Sequence, residues 1–312
     1  MKLHLDKDNF VELIEKLHRK YGYKMVVLEK DYYVTMLLKE LSEKRGSEHA
    51  YFKGGTALYK ALKAIRRYSE DVDLTIDVSD CVTPSQAKKR LEDSTLKFKS
   101  LPIGKKPDKR KGSVTCEYLY DTAFDNGTGE EYDRFGKIQV EATSFTISKP
   151  SEKMKVAPYL YELADEEGKR VLREKYDVGE FLVPTITLER IFLDKIFALE
   201  FYYQRNMLTD VAKHAYDLTV LSKTDRIKSF LSNLESLQEV MRYEREEALI
   251  RKGGLPNDLE VRDFSAFREL PSSLAFEGSF AKMQEKYVFE DSSYLDTQDV
   301  FASLEWIRGK FL

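Results

Sequence analysis

The chain has 312 residues, 42% of them hydrophobic, enough for one large or two ordinary domains with proper cores. Charged residues make up 34% but nearly cancel at a net −3, so overall charge gives no reason to expect nucleic-acid binding, and any such contact has to come from local patches. Two cysteines, Cys81 and Cys116, exclude a disulfide framework or zinc-finger spacing, and no apolar run approaches the roughly 18 residues that span a bilayer. The opening residues lack the apolar run of a signal peptide, so the expected location is the cytoplasm.

In chain order, residues 8–20 place Phe10, Leu13, Ile14 and Leu17 on one helical face behind Asp8 or Asn9 as a cap, and residues 26–44 repeat Val34, Leu37, Leu38 and Leu41 at helical spacing. Residues 50–53 read as a short strand. A helix is expected over 56–66, capped by Thr56, with Leu58, Ala61, Leu62 and Ile65 inward. Residues 71–78 alternate Val72, Leu74, Ile76 and Val78 with Asp71, Asp73, Thr75 and Asp77, which puts the acids on the face opposite the aliphatics. Residues 84–98 read as helical. Gly104 to Gly112 forms a basic tip that joins two strands, 113–124 and 132–147, in a hairpin-like pattern. Pro150 and Pro158 mark a transition, and 160–176 is charged and partly helical. From Pro184 onward the pattern is helical, at 187–203, 208–222 and 225–251, then a loop at 252–262 and helices with loops over 272–312. The expected fold class is α+β, with residues 1–184 as a mixed N-terminal domain and 185–312 as a helical domain.

The richest segment is 52–74. Gly54 and Gly55 let a backbone approach phosphate oxygens, and a helix start offers free N–H donors to an anion. Asp71 and Asp73 share one strand face with Cα atoms about 6.6 Å apart. Such a pair can hold two metal ions about 3.5–4 Å apart against a nucleoside triphosphate. Gly-Gly-Thr alone is a common turn, and Asp-x-Asp is common on strand edges; the order strand, turn, helix, strand makes the combination specific. Glu141, on the polar face of its own strand, is the candidate third acid and general base. Lys195 interrupts an apolar helical run; it either snorkels outward, with Asp194 as its ion-pair partner, or neutralises a triphosphate. Asp210, His214 and Asp217 share a helix face, as metal ligands do, although such stripes are more often ion-paired. Lys30 and Asp31 read as a structural pair between their helix and the sheet that carries the acids, with a functional role as the alternative. The basic tip either touches RNA phosphates or is solvated. Tyr32, Tyr33, Tyr202 and Tyr203 either stack on bases or pack.

Lys53-Gly54-Gly55-Thr56-Ala57-Leu58 together with Arg67-Tyr68-Ser69-Glu70-Asp71-Val72-Asp73-Leu74 resembles the AbiEii/AbiGii toxin family of bacterial toxin–antitoxin and phage-defence systems. Leu28-Glu29-Lys30-Asp31-Tyr32-Tyr33, Ile138-Gln139-Val140-Glu141, Asp194-Lys195 and His214-Ala215-Tyr216-Asp217-Leu218 are similar to further segments of that family, so the resemblance runs over residues 8–222. It implies a nucleotidyltransferase-like mixed sheet with flanking helices, followed by a helical C-terminal domain. It also implies transfer of a nucleotide from an NTP to an acceptor hydroxyl with Mg2+. Asp71, Asp73 and Glu141 would hold metal, and Gly54, Gly55, Thr56, Ser69 and Lys195 the nucleotide, with Asp217 orienting Lys195 or another basic residue. The implied acceptor is RNA, a tRNA 3′ end, and the implied partner an antitoxin. Two other readings remain: a non-catalytic nucleotide- or RNA-binding module acting by occupancy, and nucleotidylation of a protein or small molecule.

Overall fold

The computed structural model of the chain describes residues 1–124, 134–250, 254–256, 258–289 and 291–311. Two compact units emerge: Met1–Leu62 with Tyr68–Thr185, and Lys63–Arg67 with Ile186–Leu312. The first contains α1 (Lys7–Tyr21), α2 (Met25–Glu43), β1 (Ala50–Lys53), α3 (Gly54–Lys60), β2 (Val72–Ile76), α4 (Pro84–Leu96), β3 (Asp108–Arg110), β4 (Ser113–Leu119), β5 (Lys137–Thr143), β6 (Ser151–Val156), α5 (Tyr159–Glu162), α6 (Glu166–Tyr176) and β7 (Phe181–Ile186). The strands form one sheet in the order β3-β4-β5-β2-β1-β7-β6. β1 runs antiparallel to β2 and parallel to β7, β2 runs parallel to β5, and β5 runs antiparallel to β4. This is the mixed sheet with flanking helices that the family resemblance implies, and β2 and β5 fall where the alternation of residues 71–78 and 136–143 puts strands.

One sheet face is apolar and buried, carrying Phe52, Val72, Leu74, Ile138, Val140, Ala142, Val114 and Cys116. α2 is buried almost throughout, and charge appears inside it: Glu29, Lys30 and Asp31 are 0%, 2% and 0% exposed. α4 begins with Pro84 behind a reciprocal capping box, in which Thr83 Oγ1 accepts from Gln86 N while Gln86 Oε1 accepts from Thr83 N. Thr83→Ala is expected to lose about 1 kcal/mol of stability, read as a lower urea midpoint with an unchanged slope.

The second unit is helical: α7 (Leu188–Tyr203), α8 (Leu208–Ser222), α9 (Asp225–Ser232), α10 (Leu234–Ile250), α11 (Ser265–Glu269), α12 (Leu274–Tyr287) and α13 (Thr297–Arg308). α8 is central to it, packed on α7, α12 and α13. No helix among the described residues is long and apolar enough to cross a membrane.

Several expectations need correction. α3 begins at Gly54 rather than Thr56 and stops at Lys60, because Lys63 takes a left-handed φ of 51° that no continuing helix allows. Ile65 is buried, but outside that helix. The strands β6 and β7 replace the transition region: β6 reads in sequence as a charged stretch, and β7 contains Pro184, which looks like a break. Residues 225–251 are not one helix, because Asn233 ends α9 and its Oδ1 accepts from Ser236 N at the start of α10. The basic tip does not join β4 to β5; it holds β3 and turns onto β4. Three of its cations are ion-paired, Lys105 with Glu117, Lys109 with Glu92 and Arg110 with Asp108. Of the expected 132–147 strand, 132 and 133 lie outside the described residues, as do 251, 252, 253, 257, 290 and 312 of the later segments.

Candidate active site

The polar face of the sheet is ordered by strand register. Lys53 on β1 lies opposite Asp73 on β2, Asp73 beside Glu141 on β5, and Glu141 opposite Thr115 on β4. Register partners point to the same side of a sheet, so Lys53, Asp73 and Glu141 form one row. The next row is Tyr51, Thr75, Thr143 and Ser113. Lys53 Nζ reaches across β2 to Thr143 Oγ1 at 3.5 Å, and Thr146 Oγ1 bonds both Thr75 and Thr143. Gln139 Nε2 donates to Glu141 Oε1 on the same face. Asp71 immediately precedes β2. Burial raises its carboxyl to about 7; the charge of Asp73 adds to this, Lys30 opposes it, and Glu70 and Glu141 add further.

The glycine turn is fitted to the acid strand. Gly54 has a φ of +73°, and a Cβ there would stand 2.1 Å from Asp73 Oδ2, so the Asp73 carboxylate lies in the space a side chain would fill. Thr56 does not cap the helix: it is the third residue of α3, wholly buried, and its hydroxyl donates to the main-chain oxygen of Asp71. It ties the helix to the acid strand instead. Gly55 is buried beside it, and Ser69 is half-buried in the connection before Asp71. Gly54→Ala is expected to cost about 1–2 kcal/mol in backbone strain. It should also displace the Asp73 carboxylate, so activity is expected to fall much further than a parallel thermal melt accounts for.

Consecutive residues of α2 hold the surroundings. Glu29 Oε1 accepts from Ala123 N at 2.6 Å, and burial raises this carboxyl to about 7. Lys30 Nζ donates to Arg134 O at 2.6 Å; burial lowers its ammonium, against the pull of Glu70 and Asp71. Arg134 Nη1 in turn meets Glu70 at 2.7 Å. Asp31 takes Lys60 of α3 at 2.5 Å and the main-chain N of Tyr159 at 2.7 Å. Lys30 and Asp31 therefore act as structural residues with separate targets. They pull in different directions, one toward the acids and one toward the helix that follows the glycine turn.

The other predicted residues belong to the C-terminal unit. Asp217 is 0% exposed and accepts from Arg67 through two bonds, at 2.7 and 2.6 Å, while Lys195 Nζ lies 3.0 Å from its Oδ2. Burial alone would raise this carboxyl, but Arg67 and Lys195 hold it below the ordinary value. Asp194 is not the partner of Lys195; it pairs with the buried Arg190 at 2.6 Å. Asp210 pairs with Lys213 at 3.5 Å, and the His214 ring stacks on Tyr202 at 5.3 Å. The shared face of Asp210, His214 and Asp217 thus splits into separate contacts. Tyr32 and Tyr33 are buried and Tyr203 bonds Glu269, as packing residues do.

Carboxylate oxygens gathered on one face are the donors a hard divalent cation takes; the Asp71 carboxyl is raised first by burial and then by the like charge of Asp73. The donor chemistry of Asp71, Asp73 and Glu141 fits such an ion. The side chains stand as neighbours rather than as a closed shell: among the described residues no group of three or more His, Cys, Asp or Glu is arranged to hold a metal ion. A groove of about 1100 Å³ lined by Lys44, Arg45, Asp80, Arg90 and Lys97 includes none of the acid-face residues.

A glycine turn opening a helix, an acid strand beside it and a mixed sheet with flanking helices make this a nucleotidyltransferase-like protein. The family model described as "Nucleotidyl transferase AbiEii toxin, Type IV TA system" matches residues 36–307. The chain belongs to that family of nucleotidyltransferase toxins, whose systems pair a toxin with an antitoxin. The match extends well past residue 222, so the C-terminal helices belong to the family pattern too. No curated protein matches the chain.

Proposed function

We propose that this protein transfers a nucleotide from a nucleoside triphosphate to an RNA hydroxyl, the 3′ end of a tRNA, and that an antitoxin opposes it. The single observation behind this reading is the row in which Asp73 and Glu141 lie side by side, with Asp73 seated against Gly54. Asp71, Asp73 and Glu141 would hold Mg2+. When bound, the ion supplies Lewis-acid charge that neutralises phosphate oxygens. Backbone N–H groups at Gly54 and Gly55 cradle the β- and γ-phosphates, with Ser69 and the residues around Thr56 completing the binding site. The acceptor oxygen bonds to the α-phosphorus as the α–β bridging P–O bond breaks. Pyrophosphate leaves with the electron pair, and the acceptor proton passes to the Glu141 carboxylate. Positioning and fixed charge do most of this chemistry. Within the helical unit, Asp217 keeps Lys195 and Arg67 oriented, and Lys195 is the cation that the family resemblance assigns to the nucleotide.

Incubating the protein with each of four labelled nucleoside triphosphates, Mg2+ and total tRNA tests the reading. A labelled tRNA band is expected. Label in protein or small molecules instead would change the acceptor, and Mg2+-independent binding of RNA without label would replace transfer by occupancy.

A further inference from the structure

We infer that Lys53 is a catalytic residue, its ammonium contacting the α-phosphate of the bound nucleoside triphosphate. The inference deepens the nucleotidyltransferase reading and rests on it. Lys53 occupies the last position of β1, directly before the glycine turn, so the side chain and the phosphate-binding backbone leave the sheet at the same place. Its register partner is Asp73, whose own neighbour is Glu141. The side chain does not turn away to solvent. It crosses β2 on the acid face and reaches Thr143 on the far neighbour, β5. A half-buried cation is thus laid over the strand that carries the acids, within the N-terminal unit itself.

The contact to Thr143, at 3.5 Å, is at the outer limit of a hydrogen bond and leaves ammonium protons for other acceptors. Lysine is a compact charge on a flexible stem, suited to following a phosphate oxygen as the α-phosphorus changes geometry. Charge on the equatorial oxygens of the transferred group matters most in the transition state, so the contact should act on kcat more than on KM. Lys53 stays protonated throughout; the proton of the acceptor goes to Glu141 and the electron pair to pyrophosphate.

The test measures pyrophosphate release and the binding of an α,β-methylene nucleotide by wild type, Lys53→Met and Lys53→Arg. Loss of one charged donor is expected to lower kcat about 100-fold in Lys53→Met, with analogue binding changed by less than about tenfold and much of kcat regained in Lys53→Arg. Wild-type kcat in folded Lys53→Met would overturn the inference and leave the nucleotidyltransferase reading standing. Absence of both transfer and analogue binding in the wild type would overturn that reading and this inference with it. Should Lys53→Met fail to fold, acetylation of the wild type followed by mass spectrometry decides: protection of Lys53 by saturating Mg2+ and analogue supports the contact, and equal labelling with and without them overturns it.

Discussion

Asp73→Asn is expected to keep the fold and to lose nucleotide transfer by about 10³-fold or more, the scale of losing a charged transition-state contact together with acid–base support. The substitution keeps the shape that fills the space against Gly54 and removes only charge. Circular dichroism and a thermal melt should therefore stay close to wild type. Without bound cation, stability is expected to hold or rise, since Asp73 is the like charge that bears most on Asp71. Activity falling while stability holds is the signature of a ligand-binding carboxylate. A folded Asp73→Asn protein with full activity would refute the assignment of the acid row as the reaction centre.

Asp217→Ala is expected to have the largest effect on stability, about 3–5 kcal/mol, because it strands two buried cations, Arg67 and Lys195, without their carboxylate. Urea titration reads the loss. The pH dependence has a definite sign. The folded-state carboxyl lies below its unfolded value, so its contribution is fully present above the ordinary aspartate range near about 4 and fades as pH falls through the lower folded value. The gap in stability between wild type and Asp217→Ala should therefore narrow in acid. A gap that stays constant from neutral pH down to the onset of acid unfolding would mean that the bidentate pair contributes little.

Much of this architecture is legible in local pattern. The period-two alternation of residues 71–78 and 136–143 places Asp73 and Glu141 on polar strand faces, and the bounds of α8 follow from apolar spacing. Alternation tells which side a residue faces but not which strand lies beside it. Lys53 and Asp73 are twenty residues apart and become partners only through antiparallel register, so Lys53 carries no local signal. Arg67 likewise meets Asp217 across 150 residues of chain. Buried charge is only half legible: Lys30 and Asp31 read as structural, but helical geometry turns adjacent side chains about 100° apart, so their separate targets, Arg134 O and Lys60, carry no local signal. β7 was hidden by Pro184, a residue that reads as a break although its strand pairs with β1 at the next position, Thr185.

The short segment Lys63–Arg67 leaves the N-terminal unit, joins the helical one and returns, fixed there by Asp217 and by pairing of Arg66 and Arg67 with Val288 and Phe289. The two halves are interleaved rather than strung end to end. A fragment cut after Thr185 would carry Arg67 away from the carboxylate that neutralises it, and the remaining helices would keep that carboxylate without its guanidinium. Gene fusion at a single joint cannot exchange one half for a foreign one, so the halves have to be inherited together.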